Sequence, residues 1–469
     1  MTLIKSISGI RGTIGGKAGD SLTPIDIVKY TSAFGSLIKG KHKNCKIVLG
    51  RDARLSGDML NRLVSATLSG LGIDVLDLGL STTPTVEMAV MMENAQGGII
   101  LTASHNPKQW NALKLLNSSG EFISDAFGKK VLALAESGEI VFAEVDTLGK
   151  ITESNEYIKK HIDEILKLDL VDVNAIKEKK FKIVVDAVNS SGGIAVPMLL
   201  KALGVDDIVE LYCTPDGKFP HNPEPLPENL STISAEVKRV GADLGIAVDP
   251  DVDRLALVSE DGSLFGEEYT LVSIADYVLK NISDAELKKL HLKKHTVSNL
   301  SSTRALADIA EKNNASYSAS AVGEVNVVNE MKETHSVIGG EGNGGIIYPA
   351  LHYGRDAMVG IALFLSHLAK SNKICSMLRA SYPNYFIAKK KIDLDDSINI
   401  DELFIKLKEK YKKQPLNSTD GLKIEFEKEW VHLRKSNTEP IIRIYAESAS
   451  ESTAKHLAEK MIMDIKHLI

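Results

Sequence analysis

The chain has 469 residues, 43% of them hydrophobic and 25% charged, with a net charge of −6 at neutral pH. At about 100–200 residues per domain this length implies three or four domains of ordinary globular composition. The charge is not gathered in a tail, and no basic stripe suits a nucleic acid. No run of about 18 apolar residues could span a membrane, and the opening Met1–Ser6 lacks a secretory apolar core. Cys45, Cys213 and Cys375 lie far apart, without metal-type spacing, and read as reduced thiols of a cytoplasmic protein.

The first three-quarters of the chain alternates strand-like and helix-like segments. Lys46–Leu49 is a short apolar strand, followed by the turn-rich Gly50–Gly57 and a helical pattern to about Leu71. Ile73–Leu78 reads as strand, Pro84–Asn94 as helix and Gly98–Leu101 as strand. After a more polar stretch near 145–160 the rhythm restarts: strand to Val185, loop and helix over Ser190–Leu203, strand Ile208–Tyr212. Thr214–Pro227 holds five of the 14 prolines and reads as a stiff, extended loop. A helix near Glu228–Val240 leads to the strand Leu244–Val248. Helices near Glu267–Ile282, Thr303–Glu311 and Arg355–Leu368 alternate with further strands. Such alternation predicts βαβ units and largely parallel sheets. After about residue 380 the order becomes strand (Tyr385–Ile392), helix (Asp401–Tyr411), two adjacent strands (Leu422–Leu433, Ile441–Ala446) and a last helix (Ser452–Leu468), an α+β pattern with antiparallel pairing. The expected fold is α/β: three similar α/β domains with mainly parallel, mixed sheets, then a smaller C-terminal α+β domain.

Several loops carry chemistry. Thr102-Ala-Ser-His-Asn-Pro107 follows an apolar strand and exposes Ser104 beside His105 at a strand's carboxyl end, where open α/β sheets bind ligands. An Asn-Pro turn on the surface would have the same sequence. Asp249-Pro-Asp-Val-Asp-Arg254 places three carboxylates at alternate positions after a strand. Curled, they suit a hard cation such as Mg²⁺. An EF-hand reading fails at its sixth position, which needs Gly and holds Arg254. A strand ending in Asp249-x-Asp251 also fits an aspartyl phosphotransferase, with Asp249 as nucleophile and no need of a serine. Gly339–Gly345 has five glycines in seven residues. They would let a ligand approach the backbone, with Glu341 and Asn343 offering groups suited to sugar hydroxyls; a plain connector is the other reading. Arg434-Lys-Ser-Asn-Thr-Glu-Pro440 reads as a loop whose Arg fork and hydroxyls could cradle a phosphate. Arg11 sits in a glycine-framed turn, Ser8–Gly12, and Lys114 follows Ser104 by ten residues.

Together these loops resemble the α-D-phosphohexomutase superfamily across the whole chain. The resemblance implies domains at 1–150, 151–258, 259–372 and 373–469 around a central cleft. They would carry in turn a phosphoserine loop, a metal loop, a sugar-binding loop and a phosphate-binding loop. It implies a phosphoserine at Ser104, Mg²⁺ held by Asp249, Asp251, Asp253 and Ser104, sugar recognition by the Glu341 loop, and phosphate binding by Arg434, Ser436, Asn437 and Thr438. Asn343 and Gly345 stand where family sugar loops commonly have Ser and His. Glu-Gly-Asn-Gly-Gly with Leu351–Asp356 resembles a subgroup labelled phosphoglucosamine mutase or phosphoglucomutase/phosphomannomutase. The implied activity is an isomerase moving phosphate between O6 and O1 of a hexose phosphate through a hexose 1,6-bisphosphate, with glucosamine the favoured sugar. Arg254 and Arg11 would hold charge, and His105 and Lys114 are both candidates for proton transfer. A phosphatase using Asp249 and a non-catalytic sugar-phosphate binder are the alternatives. The expected partners are a hexose phosphate and, at most, a second copy in a homodimer, with no nucleic acid or membrane.

Overall fold

The computed structural model describes residues 2–6, 9–394, 399–435 and 441–468. They divide into two compact units, Met1–Thr270 with Asn343–Leu378, and Leu271–Gly342 with Arg379–Ile469.

In the first unit a buried strand, Lys46–Arg51, runs parallel to Asp74–Leu80 on one side and Gly97–Leu101 on the other. Trp110–Leu116 and Gly9–Thr13 extend this sheet antiparallel beyond Gly97–Leu101. Side chains of a strand alternate between faces, and here both faces are covered. Ile47, Leu49, Ile99 and Leu101 join one apolar cluster under the helices Pro24–Lys39, Gly57–Gly70 and Asp125–Ser137. Val48 and Ile100 join another under Thr83–Met92. This is why Gly97–Leu101 is apolar and buried at every position. Within the polar stretch near 145–160, Ile151–Glu153 adds a parallel edge strand beside Asp74–Leu80. All three of its residues are exposed, so it has no apolar alternation to reveal it. Arg11 lies on the strand Gly9–Thr13, not in a turn. Gly9 is needed because a Cβ there would fall 2.2 Å from the Leu113 carbonyl oxygen of the neighbouring strand.

A second sheet in this unit orders Leu255–Ser259, Leu244–Val248, Lys182–Asp186 and Asp207–Leu211. Its first pair is antiparallel and the rest parallel. Helix Ser231–Val240 packs Ile233 and Val237 against Val184, Ala247 and Val258.

In the second unit Lys293–Asn299 pairs in parallel with Ser316–Ser320 and Ser336–Glu341. A separate antiparallel sheet orders Phe386–Asp393, Ile441–Ser448, Trp430–Lys435, Leu422–Glu425 and Leu416–Asn417. Helices Ile400–Lys410 and Glu451–Leu468 close its core. The single strand expected over Leu422–Leu433 is two, Leu422–Glu425 and Trp430–Lys435, joined as a hairpin. Phe426-Glu-Lys-Glu429 breaks the apolar alternation at the turn, and Phe426 N closes it on Glu429 O. Among the described residues no helix is long and apolar enough to cross a membrane. None of the three cysteines forms a disulfide.

Candidate active site

Two strand ends from two sheets meet at one hydrogen bond. Ser104, three residues beyond Gly97–Leu101, donates its hydroxyl to Asp249 Oδ2 at 2.7 Å, and Asp249 immediately follows Leu244–Val248. Ser104 has a φ of +47°, a left-handed conformation that costs a non-glycine residue about 1–2 kcal/mol. Surrounding bonds hold it there. Thr102 Oγ1 accepts from Ser104 N at 2.9 Å and donates to Asp52 Oδ2 at 2.7 Å. Arg54 donates Nε to Asp52 and spends its remaining forks on the carbonyls of Ser104, Asn106, Pro107 and Trp110. The Arg54 and Asp52 side chains are both 0% exposed. A buried guanidinium with every fork engaged is a rigid brace for the serine loop.

The carboxylate loop does curl. Asp249 Oδ1 accepts from the backbone N–H groups of Asp253 and Arg254, each at 3.2 Å. Between Asp249 and Asp253, Val252 is held at φ +62°, an outlier for a β-branched residue. The ligand oxygens of Asp249, Asp251 and Asp253 lie within 4.8 Å of one another, and all three residues are fully buried. Thr83 Oγ1 donates to Asp251 Oδ2 at 2.6 Å, and Lys114 Nζ reaches the same atom at 2.7 Å and Asp253 Oδ2 at 3.3 Å. Arg355 adds 2.7 Å to Asp253 Oδ2. Asp251 Oδ1 and Asp253 Oδ1 remain buried with no hydrogen-bond partner among the described residues. Burial, then the charges of Asp253 and Asp251, push the Asp249 carboxyl well above its ordinary range. Orphaned oxygens and a carboxyl forced to hold its proton are what an all-oxygen cation site leaves when its charge is not supplied, so the residues fit a hard divalent ion.

Cations surround this loop. Burial opposes charge on Lys114, yet Asp251 and Asp253 hold its amine above the ordinary lysine range, so it stays protonated. Asp253 is held below the usual carboxylate range despite burial, by Arg355, Lys114 and Arg254. Burial and then Arg254 push His105 down to about 3, leaving a neutral imidazole with Nδ1 3.4 Å from Ser104 Oγ. Arg11 donates to Asn106 Oδ1 at 3.0 Å, and Arg254 reaches Glu224 of the proline-rich loop at 3.3 Å.

In the second unit, Glu341 ends the strand Ser336–Glu341 and is buried. Its Oε1 accepts from Asn299 Nδ2 at 2.9 Å and from Gly323 N at 3.2 Å. Arg434 lies on the strand Trp430–Lys435, not in a loop, and pairs with Asp420 at 2.7 Å. Ser436, Asn437 and Thr438 lie outside the described residues, as does Ser8.

Three of the five glycines of the 339–345 segment, Gly339, Gly344 and Gly345, serve the protein's own packing. In the second unit a Cβ on Gly339 would fall 2.5 Å from Met331 Sδ; in the first, one on Gly344 would fall 2.3 Å from the Leu255 carbonyl oxygen and one on Gly345 2.3 Å from Arg355 Cδ. Asn343 Oδ1 accepts from Gly345 N at 3.2 Å.

The sequence reading missed Asp52, Arg54, Thr83, Glu224 and Arg355. The turn Gly50–Gly57 was visible, but nothing in its composition says that Arg54 turns inward. Thr83 and Arg355 reach the carboxylates only through pairing of distant segments.

Four family models match in order: phosphoglucomutase/phosphomannomutase alpha/beta/alpha domain I over 3–140, domain II over 159–262, domain III over 267–385 and the C-terminal domain over 391–463. The chain belongs to this family. It is a phosphohexose mutase, an isomerase of the α-D-phosphohexomutase superfamily acting on a sugar phosphate. A phosphoglucomutase/phosphomannomutase of Thermococcus kodakarensis is 36% identical, with 96% of each chain covered. A phosphoglucosamine/phosphogalactosamine mutase of Sulfurisphaera tokodaii is 31% identical, with 97% of each covered. The crystal structure of a phosphoglucomutase/phosphomannomutase family protein from Burkholderia thailandensis superposes with a TM-score of 0.84 at 25% identity, covering 100% of this chain and 98% of that one.

Proposed function

We propose that this mutase interconverts glucosamine 6-phosphate and glucosamine 1-phosphate with Ser104 as its phosphoryl carrier. The observation that carries the reading is the Ser104 hydroxyl bonded to Asp249, beside two buried carboxylate oxygens that have no hydrogen bond among the described residues. In the resting enzyme Ser104 carries a phosphoryl group. The free hydroxyl of a hexose phosphate attacks that phosphorus; the bond to Ser104 Oγ breaks and one to the sugar oxygen forms. Neutral His105 relays the hydroxyl proton to the departing Ser104 Oγ, which lies 3.4 Å from its Nδ1, while Lys114, which keeps its proton, stabilises charge on the transferring group. The resulting 1,6-bisphosphate turns over, Ser104 Oγ attacks the other phosphoryl group, and the proton returns to the sugar oxygen left behind. Asp249, Asp251, Asp253 and a phosphoserine oxygen would hold Mg²⁺, which when bound offsets charge on the phosphoryl group. Arg11 and Arg254 support that charge. Glu341 and Asn343 take sugar hydroxyls, and Arg434, Ser436, Asn437 and Thr438 take the phosphate that is not reacting.

The glucosamine preference rests on the Glu-Gly-Asn-Gly-Gly segment and on relatives named for amino-sugar phosphates. The 36% identical relative supports a second reading, a phosphoglucomutase/phosphomannomutase. Coupled assays with the 6-phosphates of glucosamine, glucose and mannose separate the two: the first requires the highest kcat/KM for glucosamine. The reading places the enzyme in the cytoplasm, as a monomer or homodimer.

A further inference from the structure

A second cluster of metal-ligating side chains lies in the first unit, apart from the carboxylate loop. His161 on the helix Tyr157–Ile165 and His352 both aim Nε2 at one atom, Asp356 Oδ2, at 3.0 and 3.3 Å. Side-chain exposures are 0% for His161 and Asp356 and 2% for His352. The three donor atoms lie within 4.8 Å of one another. Asp356 is fixed by its other oxygen, which caps the helix Ala357–Ser371 by accepting from Met358 N and Val359 N. The far nitrogen of each imidazole faces an oxygen on the helix Thr83–Met92. Thr85 Oγ1 is 3.1 Å from His161 Nδ1, and Glu87 Oε2 is 3.4 Å from His352 Nδ1.

We propose that His161, His352 and Asp356 form a second metal site, for a first-row transition cation of the Zn²⁺ class. Two imidazoles and a carboxylate suit such a cation, whereas the all-oxygen loop at Asp249 suits Mg²⁺. The arrangement supplies both shells. Each imidazole offers Nε2 as ligand and keeps its proton on Nδ1, facing Glu87 or Thr85, which is how ligating histidines are oriented. The charges balance: a divalent cation meets the carboxylates of Asp356 and Glu87. Three protein donors leave one position for a water. The ligands join the helix Tyr157–Ile165 to the loop that leads into and caps Ala357–Ser371, and they touch no reacting group; through Thr85 and Glu87 they bear on the helix Thr83–Met92, so the ion's role is to fix that helix, whose Thr83 bonds Asp251.

The test is metal analysis of the full-length protein, purified without chelator from zinc-supplemented cells, followed by replacement with Co²⁺ during mild warming. The site is closed, so exchange requires local opening. A stoichiometric transition metal and the visible absorption of a four-coordinate cobalt centre are expected. Asp251→Asn should keep both, and His352→Gln should lose both. Glu87→Gln retains shape and should weaken cobalt binding on the order of 10–100-fold; it carries the test if His352→Gln does not fold. Wild-type protein with no transition metal and no cobalt absorption would overturn the proposal. So would cobalt binding that Asp251→Asn abolishes and Glu87→Gln leaves unchanged.

Discussion

Arg54 illustrates how much of the chemistry depends on a side chain that touches no substrate in the proposed reaction. Its guanidinium bonds four backbone carbonyls and Asp52, and so holds Ser104 in a left-handed conformation. Lysine keeps the charge but has no fork. Arg54→Lys should therefore lower kcat on the order of 10²-fold, the scale expected when a reacting group is misplaced by about 1 Å, with a much smaller change in KM. Steady-state kinetics checks this, and equal losses in both parameters would argue against a positioning role. Arg434 belongs to the opposite case. If it forks onto the non-reacting phosphate, Arg434→Ala removes charge-assisted bonds worth roughly 1.5–3 kcal/mol each. KM should then rise about tenfold or more for the 1-phosphate and the 6-phosphate alike, while saturating bisphosphate still phosphorylates Ser104. Unchanged KM for both substrates would leave Arg434 with only its pairing to Asp420. Ser104 and the three aspartates were legible in the sequence because each motif sits within six residues of one strand end. Arg54 and Thr83 were not, because their partners lie about 50 and 168 residues away.

At the scale of elements, the carboxylate loop couples metal to protons. The raised Asp249 carboxyl binds a proton in the folded, metal-free protein that the unfolded chain has already released. Stability from that group is full below the ordinary carboxylate pKa of 3.8 and is lost as pH rises through the folded value. Mg²⁺ must displace the proton, so the difference in Tm between Mg²⁺-loaded and chelated protein should widen as pH rises. Scanning calorimetry across pH reads this directly; a constant difference would remove Asp249 from the metal site. His432 gives the converse case. Its Nε2–H donates to the Asp420 carbonyl at 2.6 Å, its Nδ1 lies 2.9 Å from the Ser301 hydroxyl, and burial pushes it down to about 4. The unfolded chain takes up a proton near 6.5 that the folded one refuses. Stability is therefore full above that pH and declines as pH falls toward 4, by up to about 3 kcal/mol. Denaturant titrations of His432→Gln should show a flatter slope over this interval. Parallel strands such as Gly97–Leu101 were readable as unbroken apolar runs. The edge strand Ile151–Glu153 buries nothing, and the hairpin at Phe426–Glu429 interrupts a run that looked continuous, so neither was.

Over the whole molecule, four family domains follow one another, with the phosphoryl carrier and carboxylates in one compact unit and Glu341 and Arg434 in the other. The order of strands and helices announced the α/β and α+β classes. Which glycines meet a ligand was not announced: Gly344 and Gly345 read as a ligand-facing loop, yet their missing side chains make room for Leu255 and Arg355. The central claim is that the phosphoryl group travels on Ser104 and not on Asp249, two groups only 2.7 Å apart. Peptide mapping of enzyme labelled with radioactive hexose 1,6-bisphosphate tests it most directly. The label should sit on the peptide containing Ser104, survive hydroxylamine, and pass to unlabelled hexose phosphate. A label on the Asp249 peptide that hydroxylamine removes would contradict it.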